Sequence, residues 1–258
     1  ANNITPVFLK GTANLLAGIY DDLAERMVGD IDFIFSKEDY PKAVKLLKNF
    51  DYSEVRKFDY HYPGAKHHGR LHKQDHIAAI EIHREILVTD KYRKEFSFSV
   101  VEKDSQLVDQ VRLLSYENKL ILSIIAHQIN DSGFYYKTLV LRNAYDVFLL
   151  SKKTIAKEAF NKLEKLTDPL NCFLATCYEV FNKVDSLEYN KTKTTLSYLK
   201  IFNSQFTNPI LTKNLRKLIQ IYLFFEYRFN ILINIILNKE SRIWFIKRLI
   251  DKNRYRKN

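Results

Sequence analysis

Three carboxylates are the residues best placed to do chemistry. Asp30 and Asp32 lie in Gly29-Asp30-Ile31-Asp32-Phe33-Ile34-Phe35, and Glu81 lies in Ile80-Glu81-Ile82-His83. In an extended strand, side chains i and i+2 share a face, so Asp30 and Asp32 stand side by side while Ile31, Phe33 and Phe35 turn toward a core. By the same rule Glu81 and His83 share a face, with Ala78, Ile80 and Ile82 on the other. Paired carboxylates suit a hard divalent cation, which takes one or two of them together with phosphate oxygens. Upstream, Leu9-Lys10-Gly11-Thr12 ends an apolar run with a small, flexible turn that lets phosphates approach backbone N–H groups. On Asp-Ile-Asp alone, two solvated carboxylates beside a turn are an equal reading.

The elements that must position these groups follow from periodicity. Residues 5–10 read as a short buried strand, and Thr12 is placed to cap a helix from about Ala13 to Glu25. Asp30 to Phe35 reads as a second strand, followed by a helix with Pro41 in its first turn that runs to about Asn49. His67–Lys73 and Asp75–Ile86 read as two further strands beyond a Pro63-Gly64 turn. From about Leu107 the pattern becomes helical, over 115–129, 137–152, 154–165, 168–183, 190–203, 210–237 and 239–253. The expected architecture is α+β, with a strand-rich part at 1–105 and a helical part at 106–258.

Taken together, Leu9-Lys10-Gly11-Thr12, Tyr20, Arg26-Met27-Val28-Gly29-Asp30-Ile31-Asp32 and Glu81-Ile82-His83 resemble the polymerase-β-like nucleotidyltransferase superfamily. Within it, the chain looks like the bacterial uncharacterised nucleotidyltransferase family, marked by Leu-Lys-Gly, Arg-x-x-x-Asp-x-Asp and Glu-x-His. His127, Arg142 and Asp146 resemble that family's helical region, so the likeness covers roughly residues 5–150. It implies a palm of a mixed sheet with flanking helices, closed by a helical domain. It also implies transfer of a nucleoside monophosphate from an NTP to an acceptor hydroxyl, with release of pyrophosphate. Asp30 and Asp32 would hold one or two Mg²⁺, with Glu81 as a third ligand or base. Gly11 and Thr12 would hold phosphate, with Lys10 and Arg26 as further phosphate contacts and His83 lining the pocket. The acceptor is open between a small molecule, a protein and RNA. Thr12 and Glu81 replace the Ser and Asp common in the superfamily, which keeps a non-catalytic nucleotide- or RNA-binding module as the rival reading. Relatives often carry a helical segment ahead of the first strand, so a fragment or a shortened form is also expected.

The remaining features have plainer readings beside the functional ones. The formal charge of +11 favours phosphate-bearing partners. However, residues 238–258 hold eight basic and two acidic side chains, so most of the excess belongs to the tail. A solvated helix end is the default for that tail, with RNA or an anionic surface as alternatives. Ile243, Ile246, Leu249 and Ile250 share one helical face there, with Trp244 at its margin. Gly and Pro are scarce (6 and 5), which argues against a sandwich or barrel of many short strands. Cys172 and Cys177 are five apart on a helix, about 140° around its axis, so reduced thiols and a cytoplasmic setting are expected. No signal peptide is visible. The apolar runs Leu218–Phe225 and Phe229–Leu237 each fall short of the ~20 residues a span needs, so a buried or interfacial helix is expected. Six histidines between His61 and His83 match no zinc spacing, and His127 reads as a core histidine. Tyr135-Tyr136 and Tyr227-Arg228-Phe229 read as core packing in preference to base stacking.

Overall fold

Among the described residues, seven strands make one mixed sheet: β1 (Val7–Phe8), β2 (Asp30–Ile34), β3 (Ser53–Glu54), β4 (Leu71–His72), β5 (Ala79–His83), β6 (Gln106–Val108) and β7 (Val111–Leu113), in the order β3-β4-β5-β2-β1-β7-β6. The structure is a computed structural model that describes residues 4–55, 62–108 and 111–251; His61 and the tail residues Lys252, Arg254, Arg256 and Lys257 lie outside them. The helices are α1 (Lys10–Leu16), α2 (Tyr40–Asn49), α3 (Asp90–Arg93), α4 (Phe98–Lys103), α5 (Tyr116–Ile125), α6 (Gly133–Tyr136), α7 (Leu141–Ser151), α8 (Thr167–Val180), α9 (Lys193–Thr207), α10 (Pro209–Leu237) and α11 (Lys239–Ile250). The fold is therefore α+β, a mixed sheet with flanking helices followed by a helical region.

β2 runs parallel to β5 and antiparallel to β1, which is parallel to β7. Strand alternation sorts the two faces of this centre. Phe33, Phe35, Leu71, Ile80 and Ile82 pack with Tyr40 and Ala43 of α2 into a small core on one side. Val7, Leu9 and Ile34 face the other way, into a larger core that continues through α5, α7 and α8 as far as Leu187. Each such aliphatic side chain contributes about 1.5–3 kcal/mol by leaving water. Asp32 and Glu81 share the larger-core face of the sheet, so the helical region stands beside them.

Several elements differ from expectation, each for a local reason. Gly11 and Thr12 are not a flexible turn but the first turn of α1, which is capped by no side chain. Lys10 enters that turn at φ 50°, a left-handed conformation uncommon for lysine. The helix expected to reach Glu25 stops at Leu16, and a separate short 3₁₀ turn at Leu23–Glu25 is capped by Asp22. Residues 154–165 form successive turns, with bonds such as Asn161 N to Glu158 O and Leu163 N to Phe160 O. Those turns bury Ala156, Ala159, Phe160 and Leu163 at the same spacing of three to four that suggested a helix. The hairpin of β6 and β7 was not expected, and it joins the sheet through β1.

The two apolar runs near the C-terminus are joined in one helix, α10, of 29 residues. It is long and apolar enough to cross a membrane by length and composition, and none of its residues is buried. Of the buried or interfacial helix expected, the buried reading is therefore overturned. So is the expected core packing of Tyr227 and Phe229, which stand 54% and 63% exposed. In α11 it is Trp244 that packs inward, against Tyr62 at 4.8 Å, while Ile243, Ile246, Leu249 and Ile250 face outward.

Candidate active site

The register of β2 on β5 places Asp32 directly opposite Glu81, with Asp30 two residues before it on the same face. Asp32, Glu81 and His83 offer ligand atoms within 4.8 Å of one another. Two aspartates and a glutamate on one face are the oxygen-rich donor set that Mg²⁺ selects, so the residues fit a divalent cation of that kind. His83 has a different part. A carboxylate only accepts, so the His83 Nε2–H donates to Asp32 Oδ1 at 2.8 Å. That bond holds the Asp32 carboxylate in place in the manner of an outer-shell partner.

Cationic side chains complete the cluster. The Lys10 ammonium bonds Asp32 and lies 4.0 Å from Glu81. Arg70 Nη2 donates to Asp30 Oδ2 at 2.8 Å and to Glu81 Oε1 at 3.3 Å, bridging two carboxylates. Burial pushes the Asp32 pKa up, but the His83 hydrogen bond and the Lys10 charge outweigh it and bring it to about 2. Asp32 is therefore ionised at neutral pH. Burial and the neighbouring Glu81 and Asp32 charges raise Asp30, with Arg70 opposing them. Burial also holds the His83 imidazole below its ordinary value, although its bond to Asp32 pulls the other way. Lys66 is lowered by burial and by Lys10, while the charges of Glu81 and Asp32 act on it in the opposite sense.

The other expected site residues are placed as follows. Thr12 Oγ1 donates to the Asp30 carbonyl at 3.4 Å. Gly11 is buried, and a methyl group there would lie 2.9 Å from Arg26 Nη2 and 3.1 Å from Val28 Cγ2, so a larger residue would push the guanidinium aside. Arg26 is buried as well. It donates from Nε and Nη2 to the two Asp146 oxygens at 3.0 and 3.1 Å, and Asp146 also accepts from the Tyr20 hydroxyl at 2.7 Å. Arg26 thus joins the approach to β2 to helix α7, two residues that the motifs singled out and the fold brings together. His127 is a packed core histidine whose Nε2 lies 2.9 Å from the Thr138 carbonyl. Among the other described histidines, His67 bonds the His68 carbonyl and His72 the His76 carbonyl.

Sequence reasoning missed Arg70 and Lys66. For Arg70 a signal existed, because β4 pairs antiparallel with β5, Leu71 opposite Ile80, which sets Arg70 beside Glu81. Finding it required the strand register, which periodicity does not supply. Lys66 lies outside any strand, and nothing in its spacing marks it.

Comparison with known proteins gives a family and weak structural likenesses. No curated protein matches the chain. The solution structure of the antibiotic-resistance factor ANT(2'')-Ia is similar with a TM-score of 0.41 at 12% identity, over 70% of this chain and 90% of that one. The crystal structure of JHP933 from Helicobacter pylori gives 0.37 at 14%, over 89% and 91%. At these scores neither neighbour bears on the site. The model of the uncharacterised nucleotidyltransferase family matches residues 1–181, well over half of the chain. On that match this chain belongs to the uncharacterised nucleotidyltransferase family and is an enzyme of nucleotidyl transfer.

Proposed function

We propose that the enzyme moves a nucleoside monophosphate from an NTP to an acceptor hydroxyl, releasing pyrophosphate, with Mg²⁺ held by Asp30, Asp32 and Glu81. The observation that carries this reading is the in-register placement of Asp32 and Glu81 across β2 and β5, with Asp30 on the same face. When bound there, the cation would neutralise phosphate charge and orient the reacting oxygens. The chain's own residues do the rest. His83 keeps Asp32 aimed and ionised. Lys10, Arg70 and Lys66 form a cationic rim beside the carboxylates, suited to a triphosphate tail. Thr12 steadies the strand start through the Asp30 carbonyl.

Calorimetric titration with ATP, GTP, CTP and UTP, with and without Mg²⁺, tests the reading. At least one NTP is expected to bind only with Mg²⁺, and the Asp30→Ala/Asp32→Ala double variant is expected to abolish that binding. Binding that is indifferent to both would leave only a nucleotide- or RNA-binding module. Incubation of labelled NTPs with cell lysate then reports the acceptor class.

A further inference from the structure

Transfer to a hydroxyl needs a group that takes the acceptor's proton, and the carboxylates of the cluster are already engaged. Lys10 and His83 bond Asp32, and Arg70 bridges Asp30 and Glu81. His83 donates through Nε2 and is 1% exposed, so an acceptor does not reach it. His67 stands beside it, partly exposed, with its ring 5.4 Å from the His83 ring.

A bulge puts His67 there. Leu71 pairs with Ile80 and His67 with His83, so one side of the ladder advances four residues while the other advances three. In unbroken alternation His67 would share the small-core face of Leu71. The extra residue turns it to the face of Glu81 and Asp32, and bulges re-aim side chains beside active sites in this way. The backbone is fixed on both sides of the ring. The Arg84 and Glu85 amides donate to the Lys66 carbonyl at 2.6 and 2.8 Å, and the His68 amide donates to the Ile82 carbonyl at 2.8 Å. The tautomer is fixed as well. A carbonyl only accepts, so Nδ1 carries the proton that is donated to the His68 carbonyl at 2.8 Å. In the neutral ring Nε2 then offers a lone pair, and no group among the described residues hydrogen-bonds it.

We propose that His67 is the general base of the transfer, its Nε2 taking the proton of the acceptor hydroxyl. This role presupposes the reaction proposed above. As the hydroxyl oxygen bonds to the α-phosphorus, its proton passes to Nε2 and the ring becomes an imidazolium. The bond from the α-phosphorus to the bridging oxygen breaks, and pyrophosphate leaves with that electron pair. An imidazole suits the task near neutral pH, where it can take a proton and return it to water. Nδ1 donates to the His68 carbonyl in both states, so the ring need not turn during the cycle. His67 pairs with β5 from the β4 side of the sheet, so the acceptor approaches from that side.

The test compares wild type with His67→Ala in Mg²⁺, using NTPs labelled at the α-phosphate and heat-treated cell lysate or glycerol as the source of hydroxyls. The variant is expected to transfer about a hundredfold more slowly and to regain part of that rate when free imidazole is added. It should bind NTP with Mg²⁺ as tightly as wild type in calorimetry. The acid limb of the wild-type pH–rate profile should be missing from the variant. A variant as fast as wild type would overturn the role and leave the transfer reaction standing. So would a slow variant that imidazole does not rescue and that keeps the wild-type pH profile, because His67 would then only hold structure. Loss of NTP binding in the variant would overturn it too, by placing His67 in the nucleotide site. Wild type that labels no acceptor would remove the transfer reaction and this role with it.

Discussion

Arg70 is the residue whose position says most about how the site works. Its guanidinium bridges Asp30 and Glu81, two of the carboxylates proposed to hold Mg²⁺. Its positive charge sits on the same carboxylates and repels a divalent cation there, so Arg70 competes with the cation unless it swings toward solvent or toward the phosphates of an NTP. The side chain is half exposed, which leaves it free to swing. Arg70→Ala is therefore expected to bind Mn²⁺ more tightly than wild type when no nucleotide is present, by roughly two- to fivefold, the scale of an exposed ion pair. The same variant should bind an NTP more weakly in saturating Mg²⁺. Mn²⁺ titration followed by electron paramagnetic resonance checks the first half and calorimetry the second. Weaker Mn²⁺ binding in the variant would mean that Arg70 supports the carboxylates instead of competing for them. At this scale the sequence was informative wherever chemistry and strand alternation coincide, as at Asp30, Asp32, Glu81 and His83. It was silent on Arg70 because that contact depends on how β4 registers against β5.

Among the elements, the central strands were legible and the connectors were not. β2 and β5 alternate cleanly and their flanking apolar residues divide between two cores, so their existence and their facing follow from period two. Helix α1 departs from the reading because Gly11 is needed beneath Arg26, and the packing at that point overrides the turn chemistry that Gly-Thr suggests. Helix α5 was expected, but one of its residues is unusual. Lys119 is 5% exposed, its Nζ 4.8 Å from the Tyr116 ring, and burial alone lowers its pKa to about 8. An unfolded lysine titrates near ~10.4. Below about pH 8 both states hold the proton, and the cost of burying the charge is fully present. Between about 8 and ~10.4 the unfolded state holds more protons, so stability rises with pH, and above ~10.4 the gain is complete. Lys119→Met is thus expected to stabilise the protein at pH 7 by about 1–2 kcal/mol after solvent screening, and the advantage should vanish near pH 10.5. Urea unfolding midpoints at pH 7, 9 and 10.5 measure it, and an advantage that is flat across that range would show that Lys119 is solvated.

For the whole molecule, what composition hides is which apolar residues are inside. The larger core gathers residues from Val7 to Leu187, and a smaller cluster joins Cys172, Tyr198 and Phe202. Both cysteines are free and buried there, as their spacing implied, and burial raises both thiols. Nothing in α10 is buried, and α11 buries only Ser241 and Trp244. The apolar content of α10 reads like core in the sequence, because hydropathy cannot distinguish a helix that packs inward from one that stays exposed. This division has a thermodynamic consequence. Removing residues 208–258 takes away the Trp244 and Asn234 contacts to Tyr62, the Tyr222 contact to Tyr135 and the Thr212 bond to Gln205, and leaves the three core clusters, the sheet and the carboxylate cluster whole. The shortened chain is expected to unfold in a single transition within about 5 °C of the full chain. It should keep the Mg²⁺-dependent NTP affinity of the full chain. Differential scanning calorimetry and the NTP titration test these together. A chain that no longer melts cooperatively would show that α10 and α11 hold the fold from outside. A stable shortened chain that has lost NTP binding would instead place part of the nucleotide site on the C-terminal helices.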